Sequence, residues 1–327
     1  MRPAFHRHGL VLALALSMTT APAPAQTYPA RPVHVVVPFA PGGNADILAR
    51  VLSEGLTRNM GQPFVVDNRP GGSNIIATQM VARAKPDGYT LLVISNSHTV
   101  NPTVFASKLP YDTLRDFTGV AKLATTPMVL AANPGLGVNT VPELIAKAKA
   151  EPGRINFSSS GNGSSAHMAG ELLNTLAGIK IVHVPYKGTS QGVSDTMSGQ
   201  VQLAFPSLSA AGVLIRAGQL RGLGITTARR SEAAPDIPPI AETLPGFDAS
   251  IWTAVIAPAG VPRPVISRLN AEIVKVLNDP AIKPKLVEMG VDVDTGTPEQ
   301  LDAFIESDIK RSAQLLKGAI KLDMIRQ

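Results

Sequence analysis

The chain has 327 residues, 44% of them hydrophobic and 4% aromatic, with 30 Lys and Arg against 24 Asp and Glu and no cysteine; that apolar content is enough for one large or two medium cores. The missing thiols exclude a disulfide framework, a lipid-modified N-terminal cysteine and thiol chemistry, and leave any metal site to His, Asp and Glu. The formal charge of +6 comes without a Lys/Arg block or interleaved aromatics, which argues against nucleic acid as a partner and mildly favours anions by long-range steering.

Arg2 and Arg7, an apolar run over 9–16 and Ala23-Pro-Ala25 have the three-part layout of a secretory leader. Cleavage is expected after Ala25, so that residues 1–25 are a signal peptide, the charge falls to +4 and the mature protein works in the periplasm. The apolar run would span only about 15 Å as a helix against a hydrocarbon core of ~30 Å, and no later stretch reaches membrane-spanning length without Pro, Gly or charge.

In the mature chain, 33–38 reads as an apolar strand, 39–46 as a Gly-rich turn, and the residues after it as an amphipathic helix. That geometry makes an anion cradle, because helix-start amides lack intrahelical partners and carry the positive end of the helix dipole. Next come a strand at 64–67, a turn at 68–74, a helix over 75–84 stopped by Pro86-Asp-Gly88, and a buried strand at 89–94 that exits through a polar run at 95–99. Alternating strands and helices with buried strands predict a parallel α/β sheet, whose ligands bind beyond the carboxyl ends of the strands.

Two extended runs in 117–132, separated by Thr125-Thr-Pro127, precede a second α/β set. Its helices are expected at 141–150, 167–176 and up to 197, and its strands at 155–157, 181–185, 201–205 and 219–226. The strand at 155–157, the polar turn at 158–165 and the helix that follows repeat the first cradle. A long apolar strand at 250–257 and helices at 265–277 and 298–316 complete the chain. The layout suggests two lobes joined by crossing segments near 123–130 and 248–257, with lobe 1 formed by 26–125 plus 252–327 and lobe 2 by 126–251.

With both cradles in view, the chain resembles the extracytoplasmic solute receptors of tripartite tricarboxylate transporters, the Bug family. The likeness rests on Tyr28-Pro29, the run 36–43 with Asp46, Gly61-Gln-Pro63, Asn68-Arg-Pro-Gly71, the run 86–91, Ser159-Ser-Gly-Asn-Gly163 with His167, Val184-Pro-Tyr-Lys-Gly188, Ala257-Pro-Ala-Gly260 and Thr297-Pro-Glu299. In this order these motifs cover nearly the whole mature chain. The resemblance implies a type II periplasmic-binding-protein fold: two α/β lobes joined by two crossing segments, with an interlobe cleft that binds a small organic anion (a mono- or dicarboxylate) for a membrane permease. It implies a binding protein and not an enzyme, needing no cofactor, and a monomer is expected. It also implies that backbone amides at 39–46 and 158–167 hold the ligand carboxylate. Family members often carry an aspartate after the position of Phe205 and an acidic residue at that of Gln202; here Pro206 and Gln202 alter the head groups expected to be tolerated.

The ligand-binding candidates are therefore Phe39, Ala40, Gly42, Gly43, Asn44 and Asp46 in the first cradle, and Ser160, Gly161, Asn162, Gly163, Ser164 and His167 in the second. Ser95 and Asn96 are added at the cleft floor and Phe205 on its wall, with Tyr186 and Trp252 as further wall candidates. Asp46 suits capping or loop ordering better than direct contact, since a carboxylate repels an anionic guest. His98, His167 and His183 stand alone in sequence, without a partner at helical spacing, so no metal site is expected. Gly161-Asn-Gly-Ser-Ser-Ala166 matches a relaxed dinucleotide fingerprint, but the next strand ends without an Asp or Glu to take a ribose hydroxyl. Two alternatives stay open at this point: a secreted α/β hydrolase or transferase that uses Ser160 or Ser164 in the same cleft, and a ligand sensor for a membrane signalling kinase.

Overall fold

A computed structural model describes residues 28–319 apart from Ala40, Gly43, Asn162, Gly163 and Lys187, and for 317–319 describes the backbone alone. The leader expected at 1–25 therefore lies outside the described residues. The first unit runs through β1 (Val33–Val37), α1 (Asn44–Met60), β2 (Phe64–Asn68), α2 (Ile75–Ala82), β3 (Thr90–Ser95) and α3 (Ser97–Val104). Then β4 (Phe117–Thr126) leads to β5 (Val129–Ala132), α4 (Val141–Ala150), β6 (Asn156–Ser159), α5 (Ser165–Ala177) and β7 (Val182–Pro185). The second unit continues with α6 (Thr189–Met197), β8 (Leu203–Ala204), α7 (Leu208–Arg216) and β9 (Arg221–Ile225). The chain returns through β10 (Ile251–Pro258), α8 (Arg263–Leu277), α9 (Lys283–Glu288), β11 (Asp292–Val293) and α10 (Pro298–Ala319). No helix among the described residues is long and apolar enough to cross a membrane.

The strands form two sheets, one six-stranded in the order β11-β4-β10-β3-β1-β2 and one five-stranded in the order β7-β6-β8-β5-β9. This is the two-lobed α/β architecture that the resemblance implied. The sheets are mixed and not purely parallel as expected. β1 pairs parallel with β2 and β3, whereas β10 runs antiparallel to both β3 and β4. Right-handed crossover helices impose parallel order only on strands they join directly; β4 and β10 carry the chain out of one sheet and back, so they are free to run against their neighbours.

Each sheet is buried on both faces. In the first, Val33, Val35 and Val37 pack with α1 and α8 on one side, while Val36, Leu92 and Ile94 pack with Trp252 and α10 on the other. In the second, Phe157 and Leu203 sit under α4 and α5, and Val129, Ala131 and Ile225 face the opposite cluster with Leu208 and Ala211 of α7. Phe157 is fully buried, a burial that contributes about 1.5–3 kcal/mol. It fits because α5 presents Gly170 over its ring: a Cβ there would lie 2.2 Å from Phe157 Cε2.

Two helices follow weaker sequence signals. α3 has eight residues with Pro102 inside, and its polar first turn reads in sequence as a strand exit. α7 follows the Pro206-Ser207 step, with Leu208 and Ala211 as its buried face.

Candidate functional site

The first strand-turn-helix unit is fastened by a buried carboxylate. Asp46, in the first turn of α1, is 2% exposed and accepts from the Gly42 N–H at 2.9 Å, Arg50 Nε at 3.0 Å and Asn68 Nδ2 at 2.8 Å. Asn68 also donates to the Phe39 carbonyl and accepts from Arg50 Nη2, so the end of β2 and both sides of the turn share one network. Burial alone would raise the Asp46 pKa, but hydrogen bonds from Arg50, Gly42 and Asn68 outweigh it and hold the carboxyl down to about 2. Gly42 supplies the turn with φ +86°, a conformation that glycine adopts without a Cβ penalty.

The second unit is fastened without charge. The Ser159 hydroxyl, at the end of β6, accepts the Gly161 N–H at 3.0 Å and lies 2.6 Å from His183 Nε2. Ser164 caps α5 by accepting the His167 N–H at 3.3 Å. β6 and β7 pair in register, with Phe157 opposite His183, and the His183 ring stacks on that of His167 at 3.8 Å between centroids. Burial pushes His167 down to about 4, helped by the neighbouring His183, and burial pushes His183 down to about 4 as well. Both imidazoles are therefore neutral at physiological pH, and the 3.9 Å approach of His167 Nε2 to Glu171 Oε1 is not an ion pair there. The stack corrects the expectation that these histidines stand apart. Among the described residues no group of three His, Asp or Glu side chains could hold a metal.

Between the two units lies a cavity of about 650 Å³. Phe39 reaches it from the first turn, and Ser160, Ser164 and Ser165 from the second. Its floor holds Ser95, Asn96 and Ser97 at the β3–α3 junction, with Ser73 and Asn74 from the turn after β2. α3 adds Val100, Asn101 and Val104, with Phe105 beyond it, and Met168 comes from α5. Asp248 and Ala249, just before β10, and Asp308, Arg311, Ser312 and Leu315 of α10 close it.

The structure thus brings Phe39, Ser95, Asn96, Ser160 and Ser164 to one cavity. Ala40, Gly43, Asn162 and Gly163 lie outside the described residues. Gly42, Asn44, Asp46, Gly161 and His167 belong to the two turns but not to the cavity lining. Phe205 requires correction as a wall residue: it is 2% exposed and packs edge-to-face on Phe157 in the core of the second sheet. Tyr186 and Trp252 do not line the cavity either; Tyr186 donates to Asp195, and Trp252 is buried with its Nε1 donating to Asp308. Asn96 lines the floor with its side chain held in place, Nδ2 donating one N–H to the Ser250 carbonyl and Oδ1 accepting from the Trp252 N–H. Gln202 and Pro206, where the family pattern is broken, are also structural: Gln202 Oε1 accepts from the Asn156 N–H and the Pro206 carbonyl from the Val129 N–H.

Sequence reasoning missed the wall from α10. Asp308 is 3% exposed and accepts from Thr99 Oγ1, Trp252 Nε1, and both Nε and Nη2 of Arg311. Arg311 Nη1 donates in turn to the Asp248 carbonyl, tying the C-terminal helix to the segment that enters β10. An Asp and an Arg three residues apart on an amphipathic helix read as a solvated face; only their placement beside Thr99 and Trp252 shows otherwise.

The tripartite tricarboxylate transporter family receptor model matches residues 48–321. BugT of Bordetella pertussis is 38% identical over 307 residues, covering 93% of this chain and 94% of its own. Two solved structures are also similar: Rhodopseudomonas palustris Rpa4515 with adipate, at 35% identity and a TM-score of 0.75 over 89% of this chain and 98% of that one, and MatC (Rpa3494) from the same organism with bound malate, at 31% and 0.69 over 88% and 100%. The opposed strand-turn-helix units, the cavity between them and these matches place the chain in the tripartite tricarboxylate transporter receptor family, and it is a two-lobed solute receptor of the Bug type.

Proposed function

We propose that this protein captures a small organic carboxylate between its two strand-turn-helix units and hands it to the membrane permease of a tripartite tricarboxylate-type transporter, without covalent chemistry. The observation that carries the reading is the cavity of about 650 Å³ that receives Phe39 from the first turn and Ser160, Ser164 and Ser165 from the second. A ligand that touches both turns stabilises only the state in which they face each other, which is how binding becomes closure. The adipate and malate held by its two structural relatives support the carboxylate class.

In this reading the ligand carboxylate is held by the turns at 39–46 and 158–167, lobe 1 comprises 26–125 and 252–327, and lobe 2 comprises 126–251. Removal of the leader after Ala25 delivers a monomer to the periplasm. Charge-assisted hydrogen bonds contribute ~1.5–3 kcal/mol each, so a few of them, less the closure cost, account for micromolar binding at about 8 kcal/mol. Thermal-shift screening of the mature protein against organic acids tests the proposal, since a true ligand at a hundred times its Kd adds about 2.7 kcal/mol of stability. Turnover of an ester or amide panel that disappears in Ser160→Ala, with no shift by any acid, would overturn it.

A further inference from the structure

The cavity does not end at the two turns. Besides the serines, its lining holds an apolar sleeve made by Val100 and Val104 of α3, Phe105, Met168 of α5 and Leu315 of α10. Val100, Val104, Phe105 and Leu315 are all only partly buried. Apart from Met168, the sleeve is therefore made of side chains that keep accessible surface beside the cavity; around it Met168, Leu316, Val100, Val104 and Leu315 form a small cluster apart from the main cores.

The charges of the same cavity point the same way. Among the described lining residues the charged ones are Asp248, Asp308 and Arg311. The Arg311 charge is balanced by Asp308, and three of its five N–H groups are spent on Asp308 and the Asp248 carbonyl. The Asp248 carboxylate accepts at Oδ1 from the N–H and hydroxyl of Ser250 and, among the described residues, has no cation paired with it to balance its charge. A second carboxylate on the ligand would be desolvated against that wall, and like charges at close range oppose it. An uncharged hydrocarbon body gains from leaving water.

Resting on the receptor reading above, we infer that the ligand class is a monocarboxylate with an apolar body of about six or more carbons, whose carboxylate lies at the two turns and whose body fills the sleeve between α3, α5 and α10. Each methylene that enters a sleeve of this kind tightens binding about fourfold.

Calorimetry on the mature full-length protein tests this with butyrate, hexanoate and octanoate against succinate and adipate. The expected result is a Kd that falls about fourfold per added methylene through the monocarboxylates, with hexanoate at least tenfold tighter than adipate. Val104→Asn and Leu315→Asn, each at a partly exposed position, should flatten the chain-length series, read as a fall in the ratio of octanoate to butyrate affinity. A flat series in the unaltered protein, or adipate tighter than hexanoate, overturns the inference and leaves the carboxylate-receptor reading standing. Failure of every acid in both series to bind overturns both.

Discussion

The first turn is pinned by a buried, ionised carboxylate, and the second by a hydroxyl and two neutral imidazoles. Both stand at the end of a strand and the start of a helix and border one cavity, yet they are fastened by different chemistry. Asp46 gathers three donors from three parts of the chain, so the first turn is held by charge-assisted bonds that survive to low pH. Ser159, His183 and His167 hold the second turn through neutral contacts, whose rings burial makes costly to charge. The difference makes the first unit the firm jaw of the receptor and the second the one that conditions can loosen.

The largest test of this contrast is Asp46→Ala. It removes charge-assisted bonds worth ~1.5–3 kcal/mol apiece, partly offset because Arg50 is more than half exposed and regains water. A loss of about 3 kcal/mol in urea unfolding is expected; a cost under about 1 kcal/mol would remove the firm jaw from the picture. Gly42→Val comes next. The left-handed φ of +86°, with open space where the Cβ would go, predicts strain of about 1–2 kcal/mol and weaker carboxylate binding without a clash. If calorimetry gives unaltered affinity, the first turn does not hold the ligand. Ser159→Ala should cost about 1 kcal/mol, distinctly less than Asp46→Ala, and equal costs would erase the comparison.

The smallest effect at neutral pH, and the most selective, concerns the imidazoles. The folded pKa values of His98, His167 and His183 are each depressed to about 4, by burial in all three cases, against about 6.5 unfolded. Below pH 6.5 the unfolded chain binds protons that the folded one refuses. Stability is therefore complete above 6.5, falls as the pH drops towards 4, and stops falling on this account below it. The contribution of Asp46 is lost later, between about 3.8 and about 2. The double variant His167→Gln/His183→Gln should lose at most about 1 kcal/mol at pH 7.5, since it gives up the His183 bond to Ser159, and show a shallower fall in Tm between 6.5 and 4; parallel curves would show that the stack has no part in the acid response.

Much of this was legible in the residues. Pro-Gly-Gly after an apolar strand announces the first turn, and Ser164 before an amphipathic run announces the second, because these are local signals of backbone geometry and capping. The mixed pairing of β4 and β10 was not, since strand direction depends on where the chain crosses and not on apolar content. α3 was hidden by Pro102 and a polar first turn. The histidine stack joins positions that only the β6–β7 register brings together. Asp308 and Arg311 look like an exposed pair until Thr99 and Trp252 arrive beside them. Phe205 misled for the opposite reason: an aromatic that ends a strand can face the core or the cleft, and its one-dimensional context is the same in both.

The guanidinium of Arg311 spans from α10 to the Asp248 carbonyl and so joins the last helix of the chain to the strand by which it re-enters the first sheet. Phe39 and Leu315 stand on the same cavity from almost opposite ends of the sequence. A chain truncated before α10 therefore lacks one wall of the cavity, whatever the state of the rest of the fold.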